Sequence, residues 1–323
     1  MAAVVETYQT YDAVALREDL TGAIYDISPT DTPFLSNGGR GTAKATMHEW
    51  QTDALAAVDT GNKHIEGDDI TAFPAAVPTT RVGNYLQISR KLVQISGTLD
   101  AVDKAGRNTE LAYQLSKVSA ELKRDMEAIS LENIGGAVGS STVARQMATF
   151  GAWLKSNVDT GSGGGDPSYT SGVPGAARTD GTLRAFSETL FKTVLQQVWA
   201  SGGNLRMAMF GPINKQNASE MAGIATQTYY QTAAVATKII GSADVYVSDF
   251  GTISIVANRF QRERDGWILD PAFYSIVFLR TFKQEKLAKT GDAEKRSMLV
   301  EWSLKVRNEA AHGLVADLNS TVQ

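Results

Sequence analysis

TELAYQLSKVSAELKRDMEAISLEN, residues 109–133, is the stretch on which the fold turns. Leu111, Leu115, Val118, Leu122, Met126 and Ile129 recur at three- and four-residue steps, which places them on one helical face. Asn108 offers an N-cap, and Glu110 falls in the first turn, where the helix dipole favours an acid. Lys117 and Glu121, like Lys123 and Glu127, stand four apart on what the pattern makes polar faces. Gly135-Gly136 ends the run. At ~1.5 Å per residue the predicted rod approaches ~40 Å, long enough to brace a wide subunit.

Upstream of this helix, residues 43–50 alternate as a strand does, and residues 79–96 regain strand character through Val82, Tyr85, Leu86, Ile88, Leu92, Val93 and Ile95. Nearly 30 residues of polar loop lie between them, which predicts a long hairpin projecting from the body, with a disordered insertion as the alternative. Residues 1–38 read as an arm. A short helix over Ala13–Ile27 stops at Ser28-Pro29, and turns follow at 30–33 and 37–39.

Downstream, Ala148–Val158 reads as a short strand or helix, while Gly161–Gly165 and Pro174-Gly175 read as an exposed linker. Helical periodicity returns over 182–200, with Leu183, Phe186, Leu190, Val194 and Val198. A strand over 206–210 precedes a helix opened by Pro212 and running through Met221. Paired strands are expected over 244–250 and 253–257, then strands at 267–269, 275–279 and 298–307. The element order predicts an α+β chain and not a regular βαβ repeat.

The 323 residues are 43% apolar and 20% charged, enough for a sizeable core. The absence of cysteine excludes disulfides, thiolate metal sites and thiol nucleophiles. The net charge of -4 argues against tight non-specific DNA binding, because that affinity needs a basic excess at the phosphates. The first residues lack a basic and apolar leader pattern, and no run approaches the ~20 apolar residues of a membrane span. A soluble protein made in a cytoplasm is therefore expected.

Catalytic patterns are missing as well. Gly161–Gly165 is followed by Asp166-Pro167 and not by the Lys-Ser/Thr of a phosphate loop. His48, His64 and His312 are isolated, without zinc-ligand spacing. The expectation is a non-enzyme with no cofactor and no metal. Glu66, Asp68 and Asp69 cluster in the projecting loop, as a cation site or a solvated tip. Lys283, Lys286, Lys289, Lys295 and Arg296 are interleaved with Glu285, Asp292 and Glu294, which suits a rim of inter-subunit ion pairs better than a nucleic-acid patch.

Four stretches resemble the major capsid (head) proteins of tailed bacteriophages with the Hong Kong 97-type coat fold. They are Leu16–Leu20 with Ile24–Phe34, Glu49–Leu55, Gly203–Gly211, and Tyr246–Asp317. The last contains SDFG (248–251), LDP (269–271), AKTGDA (288–293) and NEAAHG (308–313). The resemblance implies an α+β fold with an N-terminal arm (1–38) and an extended β-hairpin loop (39–96). It further implies a peripheral domain (97–202 and 266–323) braced by the spine helix 109–133, and an axial domain (203–265).

The implied function is self-assembly into pentamers and hexamers of an icosahedral head, a virion wall made in the bacterial host cytoplasm around double-stranded DNA. The implied partners are other copies, with portal, scaffolding or cement proteins beside them. DNA would be touched only loosely, and no membrane is involved. Candidate inter-subunit contacts are Trp50, Tyr85 and Leu86 at the hairpin root and Tyr25 and Phe34 in the arm, with ordinary intramolecular core as the alternative for each. Glu66, Asp68 and Asp69 at the tip and Lys289 and Arg296 on the rim complete the set. A cross-link between Lys63 and Asn308 is not expected, nor is cleavage of a scaffolding segment. The alternatives are an encapsulin-like cellular nanocompartment shell and an enzyme of unfamiliar type.

Overall fold

The computed structural model describes residues 28–67, 69, 73, 75–102, 109–221 and 244–320. The expected helix over Ala13–Ile27, and with it Tyr25, Asp68 and Asn108, lies outside these residues.

The long helix spans Glu110–Ser130, with Thr109 at the N-cap position. Its apolar stripe is split between two partners. Val118 packs with Val93 and Ile95, joined by Leu111 and Leu115, whereas Leu122 and Met126 enter the main core beside Phe34, Phe150, Trp267, Tyr274 and Trp302. Glu127 departs from the expectation of a polar face: its carboxylate is fully buried.

The helix lies against a four-stranded sheet in the order Gly39–Thr42, Tyr274–Lys286, Ala293–Val306, Gln87–Ser96. The first pair is parallel and the other two are antiparallel. The two central strands run 13 and 14 residues, well past the expected 275–279 and 298–307. The distal part of the first is solvent-exposed, so it carries charges where a half-buried strand would alternate apolar residues.

A six-stranded sheet follows the order Val158–Asp159, Gly313–Val315, Gly266–Leu269, Met207–Phe210, Gly251–Ala257, Val245–Ser248. Its central strands are buried on both faces, and side-chain alternation sorts them into two cores. Met207, Met209, Trp267, Leu269 and Leu314 point into the main core. Ala208, Phe210, Ile268 and Val315 point into a second core, with Phe191, Val194, Leu195 and Val198 of the helix Glu188–Ala200. The sheet takes strands from both the 203–265 segment and the flanking segments 97–202 and 266–323.

Within the expected strand or helix Ala148–Val158, Phe150–Trp153 is a short buried helix, whereas the expected linker is in part interior: Pro174 is buried. Gly161 is buried too, where an added Cβ would sit 2.1 Å from the Thr182 carbonyl oxygen. Its glycine serves close backbone approach rather than flexibility.

Candidate assembly surfaces

Met47–Thr52 pairs antiparallel with Thr80–Tyr85, in register from Met47 opposite Tyr85 to Thr52 opposite Thr80. The 27 residues between the two strands contain no helix or strand among the described ones. Loss of register would detach the hairpin, and its root is locked against this. Buried Asn84 donates to the carbonyls of Ala148 (2.9 Å) and Leu304 (2.8 Å) and accepts from the Ala148 amide (2.8 Å). Ser303 Oγ donates to the Tyr85 carbonyl at 2.8 Å. Arg145 donates to the Leu86 carbonyl and pairs with Glu301.

Beyond the root the loop exposes apolar side chains. Leu55 is 99% accessible, Val58 91%, Ile65 80%, Phe73 83% and Val77 85%, far above what an isolated surface residue needs to show. Single exposed apolar residues are ordinary, but five among the described residues of one loop make it a candidate contact surface.

The sequence candidates separate into distinct places. Trp50 is half-buried at the root, its ring 5.4 Å from that of Trp153 and 5.6 Å from Lys305 Nζ. Tyr85 is half-buried beside it. Leu86 and Phe34 must be corrected, since both are fully buried and have no surface to give a neighbour. Phe34 stacks on Tyr274 at 4.4 Å within the main core, because the residues after Thr32 form a helix, Pro33–Asn37, in the body. Glu66 and Asp69 are exposed on the loop. Lys289 is exposed at the distal turn of the long strand pair, and Arg296 is held by Glu294 two residues away on its own strand.

Sequence reading missed two polar centres. Glu127 accepts from the amides of Phe34 (2.8 Å) and Leu35 (2.9 Å) and from Asn258 Nδ2 (2.7 Å). Burial holds its carboxyl above the ordinary range, opposed by those bonds. The second centre gathers Arg178, Arg262 and Arg264 around Asp180, Asp265 and Asp317. Arg178 and Asp265 are 1% and 0% exposed, so this pair is interior. The carboxyl of Asp265 is raised by burial against the pull of Arg178 and Arg262. Scattered Arg and Asp residues carry no spacing that a sequence could signal. Buried His312 is likewise pushed down to about 3 by desolvation, and its Nδ1 accepts from the Asp270 amide at 3.3 Å. Each of the three ties separate segments together. Among the described residues no group of His, Asp and Glu is arranged to hold a metal ion.

Comparison with known proteins finds relatives over nearly the whole chain. The model of the SU10 major capsid protein family matches residues 4–319. The major capsid protein of Escherichia phage Phieco32 is 28% identical over an alignment spanning 95% of this chain and 96% of that protein. The fold matches the capsid of a native GTA particle (TM-score 0.63, 10% identity, 96% of this chain and 98% of that one). It also matches the Cyanophage A-1(L) capsid (TM-score 0.59, 10% identity, 96% and 98%) and Gordonia phage Cozz (TM-score 0.58, 11% identity, 97% and 96%). The chain belongs to the SU10 major capsid protein family: it is a major capsid protein of a tailed phage, with the Hong Kong 97-type coat fold.

Proposed function

We propose that copies of this chain close into pentamers and hexamers and form the icosahedral head around a double-stranded DNA genome. The observation that carries this reading is the anchored hairpin with five uncovered apolar side chains, which a neighbouring copy would cover. Residues before Pro33 act as the arm, residues 39–96 carry the extended loop, and the chain around the edge strand Val245–Ser248 lies toward the ring axes. The peripheral role falls to the four-stranded sheet and its spine helix.

The acidic balance of -4 suits a wall that encloses DNA without gripping it. The role is structural and has no reaction of its own. Assembly takes place in the bacterial cytoplasm, with portal, scaffolding or cement proteins as further partners. Size-exclusion chromatography with negative-stain microscopy of the expressed chain tests the reading. Closed shells are the expected product, and a monodisperse small oligomer under all assembly conditions contradicts it.

A further inference from the structure

We propose that the root of the hairpin holds a phosphate dianion, free or as a monoester, between the strand Met47–Thr52 and the end of the strand Ala293–Val306. Its cationic side is Lys305 with Arg307, and its donors are the ring nitrogens of His48 and Trp50. The inference does not depend on shell building and gives the chain a ligand site.

Lys305 is half-buried, with Nζ 5.6 Å from the centre of the Trp50 ring. Burial, and then the nearby Arg307 guanidinium, disfavour its charge, so the two cations stand close enough to repel. Neither forms an ion pair among the described residues. The acids nearest in sequence are engaged elsewhere. Glu301 pairs with Arg145 and Arg280. Glu49 pairs with Arg81, and strand alternation puts that pair on the face opposite His48 and Trp50. Glu309 accepts from the amides of Lys155 and Ser156, both at 3.1 Å, and from Ser156 Oγ.

Three ring nitrogens of the same cluster are buried without a hydrogen-bond partner among the described residues: His48 Nε2, Trp50 Nε1 and Trp153 Nε1. The Trp50 ring lies 5.9 Å from that of His48 and 5.4 Å from that of Trp153. Burial and Lys305 keep His48 toward its neutral form, which still donates from Nε2 in one tautomer. An unpaired buried donor is costly, and an oxyanion that accepts from it removes the cost. Two unneutralised cations with N–H donors beside them match a phosphate, which carries ~1.5–2 negative charges at neutral pH and accepts on its oxygens. A carboxylate supplies a single charge and leaves one cation uncompensated. Bound there, phosphate ties the first hairpin strand to the sheet beneath it.

Thermal unfolding of the full chain in inorganic phosphate, against chloride at equal ionic strength, tests the site. A saturable rise of ~2–4 °C is expected at about ten times the apparent Kd, with no such rise in chloride. Hydrogen exchange over residues 47–52 and 80–85 should slow several-fold on phosphate addition, which general screening by salt does not do. Arg307 is exposed, so Arg307→Gln keeps the fold and should weaken phosphate binding ~10-fold. Lys305→Met should abolish the response, and if that variant fails to fold, Arg307→Gln decides alone. An equal rise in chloride, or an unchanged phosphate response in Arg307→Gln, overturns the proposal. An equal rise in acetate makes this a carboxylate site and overturns the phosphate assignment. Protection that appears around Arg178 and Arg264 instead puts the anion at the other arginine centre and overturns the proposal as well.

Discussion

Glu127 on the spine helix accepts a hydrogen bond of 2.7 Å from the side chain of Asn258, 131 residues away, inside the protein interior. The same carboxylate takes the amides of Phe34 and Leu35. One buried acid thus joins the helix Pro33–Asn37, the spine helix and the chain just past the strand Gly251–Ala257.

Glu127→Gln replaces one acceptor oxygen with a donor facing a donor. The expected cost is ~1–3 kcal/mol, the penalty of a buried amide left unpaired, read from denaturant midpoints of the unassembled subunit. The pH dependence has a definite sign. The folded carboxyl is raised above its unfolded value, so its contribution is present at low pH and lost as pH rises through the folded value. Wild type should therefore lose stability relative to Glu127→Gln above the ordinary carboxylate range. A constant difference across that range counts against the buried carboxylate.

Phe34→Ala should cost ~3–5 kcal/mol, the range for a fully buried phenylalanine. The ring has zero exposure, stacks on Tyr274 and meets Phe150 edge-on at 5.4 Å. An interface residue would instead leave subunit stability unchanged and impair only assembly.

Asp265→Asn removes the carboxylate nearest the interior Arg178, leaving it the longer pairs to Asp180 (3.3 Å) and Asp317 (3.8 Å), and should destabilise by ~1–3 kcal/mol. Replacing the pair together, as Arg178→Met with Asp265→Leu, should recover much of that loss, since packed apolar groups need no compensating charge. Thermal unfolding of the three variants decides the matter.

His312 has a depressed folded value of about 3, so its contribution is present above the unfolded imidazole range and lost as pH falls toward 3. Between those limits wild type should lose up to ~1.4 kcal/mol per pH unit more than His312→Gln, the slope for one proton. Equal acid slopes in urea titrations would place the imidazole in water.

The spine helix, most strands and the α+β class were legible because each writes a period into the sequence. Leu122 and Met126 repeat as a helix face whatever they pack against. Glu127 misled for the same reason: periodicity places it opposite the stripe, and only the approach of Phe34 and Asn258 makes that position interior. Turn signals surround Phe34 and assign it to the arm, whereas one helical turn carries it into the core. The Gly161 segment looked flexible because glycine marks both loose chain and close approach, and sequence alone cannot tell them apart. Among the assembly surfaces, the hairpin was visible as a gap between strands. Its strongest feature, the uncovered Leu55, Val58, Ile65, Phe73 and Val77, was hidden by the charges between them.

The central claim is that these five side chains hold copies together. Changing Leu55, Val58, Ile65, Phe73 and Val77 together to serine alters the loop without touching either core. The most direct test is cryo-electron microscopy of wild type and this variant beside their unfolding curves. The account predicts closed shells with five- and six-fold rings for wild type, and loss of shells with unchanged subunit stability for the variant. Shells of normal size and yield from the variant would contradict it.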